Sequence, residues 1–209
     1  VINPIPAWPR KDDSYQNIEG STINGNNLTI GISDGQSQTV DLSGILICNV
    51  SLSEGFSSET SCDPNLSANN CTLPTDWERS DNQYVWVNNL SSNKCIGIRG
   101  ASSWLKTPVY NTSSCNVVRI SFDHRAGYTG SNSSLENNDD LRINYYNGSA
   151  WVELTTIDHL STSTTFWTSK SIELKTGMNQ NFQIQFISEC NELLDSWLID
   201  NISIQSSKS

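Results

Sequence analysis

Asp200 sits in the middle of the apolar run SWLIDNISI (196–204), and an acid in that position needs a partner. An ionised carboxylate buried in a strand is costly unless donors, a counter-charge or a cation hold it. Two readings are open: Asp200 ligates a cation, or it turns outward or is held by hydrogen bonds. A second oxygen-rich stretch, ENNDD (136–140), is the other candidate cation site, though such acidic loops are usually solvated turns.

Groups suited to catalysis are sparse. The chain has two histidines. His124 follows Asp123 in an alternating run, and successive strand residues face opposite sides, so these two cannot easily pair. His159 lies in the polar stretch IDHLSTST (157–164). Neither a Gly-x-Ser-x-Gly elbow nor His-Glu-x-x-His occurs. WVEL (151–154) and IEL (172–174) lack a second acid in register for glycoside hydrolysis, which leaves only a carboxylate pair drawn from distant strands. A non-enzyme is therefore the expectation. Aromatic residues are plentiful by contrast, with seven Trp and six Tyr. Flat rings can stack on pyranose faces, and Trp86, Trp104, Tyr128 and Trp167, which lie near polar loop chemistry, are the candidate ligand-binding residues. Each one taken alone is better suited to a core, and at least one exposed ring among the four is the expectation.

Strands must hold these residues. Of the 209 residues 35% are hydrophobic and 16% charged, so solubility rests on Asn, Ser, Thr and Gly, a balance that suits strands and turns. The net charge of −10, with no Lys/Arg cluster, argues against nucleic acid and anionic membranes as partners. No run approaches the roughly 18 apolar residues of a membrane-spanning helix, so no membrane insertion is expected. The chain opens at Val1 without a basic-then-apolar leader, as expected of a mature product or part of a longer chain.

Six cysteines, without a C-x-x-C pair or a neighbouring His, predict a disulfide framework in an oxidising compartment. Cys62 and Cys71, which bracket DPNLSANN, are the firmest pair. Nine Asn-x-Ser/Thr sequons mark polar loops that a eukaryotic secretory route would glycosylate.

Residues 1–47 differ from the rest. VINPIPAWPRKDD places three prolines in nine residues and predicts an extended arm. Leu28, Ile30 and Ile32, then Asp34-Gly35, then Val40 and Leu42 predict a β-hairpin. No aromatic residue lies between Tyr15 and Phe56, so this hairpin needs something to pack on, and the segment is a candidate assembly element for a homo-oligomer. From residue 48 to 209, about nine strand-like runs alternate with turn clusters, the sharpest turn being Asn147-Gly148. They predict an all-β fold, an antiparallel jelly-roll β-sandwich preceded by the extended arm and β-hairpin. Ile120, Phe122, Leu141, Ile143, Tyr145, Phe182, Ile184 and Phe186 are the expected core.

The order EGF (54–56), LPTDW (73–77), RISFDHRAG (119–127), DLRINYYNGSAWVEL (140–154), FQIQFISEC (182–190) and DSWLIDNISI (195–204) resembles the MAM-like jelly-roll superfamily, in particular bacterial cleaved-adhesin and choice-of-anchor modules. The resemblance spans about residues 48–205. The arm resembles repeats of fibrous surface proteins and tail fibres of bacterial viruses. In such jelly rolls the first and last strands run side by side. The resemblance therefore implies that Glu54 lies beside Asp200, and that these two with Asp123 and backbone carbonyls form a calcium site. It also implies a non-catalytic recognition or adhesion module, extracellular or on a cell or virion surface, whose partner is a glycan or a cell-surface protein. The alternative is a structural segment of a filament, fibre or virion spike, and a glycan-active hydrolase comes third.

Overall fold

The computed structural model describes residues 18–24, 27–32, 37–41, 48, 50–62, 71–81, 83–90, 93–128, 135–192 and 194–208. The chain divides into two compact units, Val1–Leu46 and Ile47–Ser209.

The first unit holds an antiparallel sheet of β1 (Ile18–Asn24), β2 (Asn27–Ile32) and β3 (Ser37–Asp41). β2 and β3 form the expected hairpin, with Leu28 opposite Val40 and Thr29 opposite Thr39. Its Asp34-Gly35 turn and the proline-bearing arm lie outside the described residues. β1 is a strand that the hairpin reading lacked. Gly20 interrupts the alternation of IEGSTIN, and it sits opposite Gly31 across the ladder. None of the described side chains in this sheet is buried.

The second unit contains, in chain order, β4 (Ser51–Glu54), β5 (Glu78–Arg79), β6 (Val85–Leu90), β7 (Asn93–Arg99), β8 (Ser103–Lys106), β9 (Val117–Tyr128), β10 (Leu141–Tyr146), β11 (Trp151–Ile157), β12 (Thr168–Leu174), β13 (Ile184–Ser188) and β14 (Asp195–Ser207). One sheet runs β11-β10-β13-β8-β5; the other runs β12-β9-β14-β7-β6, with β4 also on β14. Every pairing is antiparallel, and the result is a jelly-roll β-sandwich. Alternation sends one side of each strand inward. Phe122 of β9 meets Phe186 of β13 edge-on across the sandwich at 5.0 Å, and all eight expected core residues are buried.

β14 organises the six-stranded sheet. One edge pairs with β9 along its length, while the other is shared between β7 at Ser196–Ile199 and β4 at Ile202–Gln205. Between these partners the ladder slips register and Asn201 takes a φ of 50°, a left-handed conformation that Asn tolerates better than most residues. Asp200 stands at this junction.

Cys62 and Cys71 are bridged as expected, and Cys48 is bridged to Cys115. The remaining two cysteines do not extend the framework. Cys95 and Cys190 are free thiols in the interior, and burial pushes both up to about 12, which keeps them protonated.

Candidate functional site

Side chains that point away from the core on the five-stranded sheet form a band of aromatic and amide groups. Leu105, Ile143, Tyr145, Ile184 and Phe186 pack inward, so alternation turns Trp104, Lys106, Asn144, Tyr146 and Gln185 outward. Trp104 and Trp151 come from strands with two others between them, yet both rings flank one cation. The Lys106 ammonium lies 4.1 Å from the Trp104 ring centre and 5.4 Å from that of Trp151, and its counter-charge, Glu78 of β5, is 3.4 Å away. Tyr146, opposite Trp151 in the hairpin, adds a third ring at 5.4 Å. All three aromatic residues are half-buried. The amides of Asn144 and Gln185, on the two intervening strands, are buried, and Asn144 Oδ1 is closed to solvent with no hydrogen-bond partner. A recess of about 340 Å³, lined by Asp76, Trp77, Glu78, Pro108, Val109 and Gln183, adjoins the band through Glu78. Such a surface offers flat apolar faces beside a fixed acceptor, which is what a hydroxyl-rich ring needs.

The outward face of the six-stranded sheet differs. Trp86 lies opposite Gly97, where an added Cβ would come within 2.4 Å of its ring, and the Arg99 guanidinium lies 5.5 Å from the ring centre. With 1% of its surface exposed, Trp86 presents no face to a ligand, which corrects its place among the expected ligand-binding residues. Trp167 is half-buried beside Arg125, 5.6 Å from the guanidinium carbon, away from the aromatic band. Tyr128 is the last residue of β9, in register with Asp195. Of the expected residues whose side chains are described, Trp104 alone belongs to the band; the Tyr128 side chain lies outside the described ones. Tyr146 and Trp151 were not selected, although the hairpin turn between them was legible.

At the β14 junction, Asp200 is buried and fully engaged. Its Oδ2 accepts from Asn93 Nδ2 at 2.9 Å and its Oδ1 from the Asn201 backbone N–H at 2.7 Å. Burial pushes its carboxyl upward, and the charges of Asp123 and Glu54 add to that against the two hydrogen bonds. Glu54 pairs with Ile202 in the ladder, and its Oε1 accepts from Phe56 N–H at 2.6 Å. Asp123, opposite Asp200 on β9, accepts from Asn201 Nδ2 at 2.8 Å and from the Ser169 hydroxyl. Glu54, Asp123 and Asp200 thus gather at one junction. They do not bring three ligating oxygens within 4.8 Å of one another. Gly55 keeps the space beside Asp200 open, since a Cβ there would sit 3.4 Å from Asn201 Oδ1 and 3.8 Å from Asp200 Oδ1.

His124 faces the core opposite to Asp123. Its ring lies 6.0 Å from Phe122 and 5.9 Å from Trp197, and burial holds its pKa below the usual histidine value. It is a packing residue. Within ENNDD, Asp139 is wholly buried and staples the loops, with Oδ1 accepting from Asn191 N–H at 3.0 Å and Oδ2 from Glu136 N–H at 2.6 Å. Its neighbour Asp195 is also buried; burial first, then Asp139, Glu192 and Glu136, push its carboxyl up to about 6.

The class these features define is an antiparallel jelly-roll sandwich with an aromatic band on the outer face of its five-stranded sheet. Solved structures share that fold. The K1 cleaved adhesin domain of Lys-gingipain from Porphyromonas gingivalis W83 matches with a TM-score of 0.53 at 13% identity, over 77% of this chain and 99% of that one. The K3 cleaved adhesin domain of the same protein matches with a TM-score of 0.51 at 12% identity, over 76% and 99%. The CBM22-1 xylan-binding domain of Xyn10C from Paenibacillus barcinonensis matches with a TM-score of 0.49 at 13% identity, over 76% and 94%. No protein-family model and no curated protein sequence matches the chain.

Proposed function

We propose that this chain is a non-catalytic, extracellular recognition module that binds a glycan through the outer face of its five-stranded sheet. The observation that carries the reading is the convergence of Trp104, Tyr146 and Trp151 around Lys106, with the unpartnered Asn144 Oδ1 on a strand between them. Aromatic rings supply stacking area at low entropic cost. A sugar hydroxyl meeting Asn144 Oδ1 would satisfy an acceptor that otherwise bears its full desolvation cost. Lys106, on a flexible stem, is the element able to swing aside as the sugar enters. The likeness to adhesin domains and the two disulfides agree with an extracellular setting. A glycan array read beside a panel of glycosidase and esterase substrates tests the proposal. Saturable glycan binding without turnover is expected; turnover abolished by changing one carboxylate would make the chain an enzyme instead.

Structural calcium at the β4–β14 junction is the second part of the proposal. Three acids gather there, and burial, with the charges of Asp123 and Glu54 added, pushes the Asp200 carboxyl the wrong way for an ionised group, a penalty that a dication reverses. Asp200 and Glu54 would hold the ion, with Asn93 and Asn201 offering amide oxygens once their end groups turn over. Asp123, already held by Ser169 and Asn201, is the outer support. When bound, the ion neutralises buried charge and ties β4 to β14.

A further inference from the structure

We infer that Asp140, Asp158 and His159 form a binding site for one transition-metal dication of the zinc class, at the end of the β10–β11 hairpin and independent of the glycan and calcium proposals. Among the described residues this is the one trio of His, Cys, Asp and Glu side chains whose ligating atoms all lie within 4.8 Å of one another. The fold makes the juxtaposition a fixed one. Leu141 and Ile157 pair at the end of the ladder, so Asp140 and Asp158 leave it side by side. Asp140 is anchored by its carbonyl, which accepts from Glu189 N–H at 2.9 Å. Asp158 caps the short 3-10 turn His159–Ser161, its Oδ1 accepting from Leu160 N–H at 2.7 Å and its carbonyl from Ser161 N–H at 2.9 Å. That turn sets His159 next to both carboxylates.

A separate observation points to an ion. His159 Nδ1 is closed to solvent and lies 3.0 Å from Asp158 Oδ1, an ion-pair contact whose geometry makes no hydrogen bond. A cation shared between imidazole and carboxylate fits that contact without needing N–H···O alignment. The donor types choose the ion. Calcium takes six to eight oxygen ligands, whereas two carboxylates and one imidazole are a three-ligand zinc set that leaves a position for water. Two carboxylates and a neutral imidazole also balance the charge of a dication. Asp158, with 57% of its side chain exposed, gives the ion a way in. The ion would pin the start of the β11–β12 connection, which carries the exposed Leu160 and Phe166, to the hairpin.

The test uses the untagged full chain, stripped with chelator and returned to excess calcium so that any oxygen-only site is filled. Titration with zinc chloride should show one equivalent bound and a saturable rise in melting temperature. His159→Gln and Asp140→Asn should each weaken binding at least about 100-fold, the upper end of what loss of an outer-shell partner costs. Because the chain has two histidines, ring-proton NMR gives a readout that needs no variant: zinc should move the His159 signals and leave those of the core residue His124 in place. No zinc binding, equal binding by both variants, or a response at His124 alone overturns the inference.

Discussion

The two outer faces of the sandwich use the same residue types to opposite ends. On the six-stranded sheet, Trp86 fills the space that Gly97 leaves and is sealed; on the five-stranded sheet, Trp104 and Trp151 flank Lys106 and stay half-exposed. What decides a tryptophan's role here is the residue opposite it across the ladder. A glycine lets the ring collapse onto the backbone, whereas Ile187 opposite Trp104 keeps that ring standing off the sheet.

The largest expected effect breaks the sealed packing of Trp86. Gly97→Ala puts a methyl within 2.4 Å of the Trp86 ring, and we expect a loss of about 3 kcal/mol in denaturant-measured stability, at the upper end of overpacking costs. A loss under about 1 kcal/mol would mean that Trp86 swings outward freely and that the faces differ less than described. Next comes calcium. At free calcium about 100 times its dissociation constant, mass action gives about 2.7 kcal/mol of stabilisation, and chelator should lower the melting temperature by several degrees. Asp200→Asn should remove most of that response. A melting curve indifferent to chelator would leave Asp200 as a hydrogen-bonded strand residue.

A smaller effect concerns pH. Asp195, buried against Asp139, Glu136 and Glu192, has a folded pKa of about 6 against an ordinary 3.8, so the folded state holds its proton more tightly than the unfolded chain. Its contribution is fully present below about pH 4 and is lost as pH rises through about 6. Asp195→Asn should therefore gain on the natural chain across that window, by up to about 3 kcal/mol at pH 7 before solvent screening and by less after it. Thermal melts from pH 4 to 7 check this, and parallel profiles for the two proteins would contradict it.

Much of the fold was legible because it is written in local alternation. The runs that became β6 to β14 all stood out, as did the Asn147-Gly148 turn and the Cys62–Cys71 bridge. Non-local facts were not. Trp86 looked as available as Trp104 because the sequence does not say that Gly97 lies across from it. Trp151 was passed over because its relation to Lys106 depends on the order β11-β10-β13-β8, which places residues 45 positions apart around one cation. Cys48 and Cys115 could not be paired from spacing, and β1 was hidden by Gly20. At the β14 junction the three acids were foreseen from a resemblance, whereas the donors Asn93, Asn201 and Ser169 depend on a bulge that the sequence does not announce.

The central claim is that the five-stranded face, and not its counterpart, binds the glycan. Calorimetry on the strongest array ligand tests it most directly, comparing Trp104→Ala and Trp151→Ala with Trp167→Ala, just before β12 of the opposite sheet. The account predicts that each of the first two weakens binding about tenfold or more, as expected when a stacking ring worth about 1.4 kcal/mol is removed, while Trp167→Ala leaves the affinity unchanged. Unchanged affinity in both Trp104→Ala and Trp151→Ala, with loss in Trp167→Ala, would contradict it and move the site to the other face.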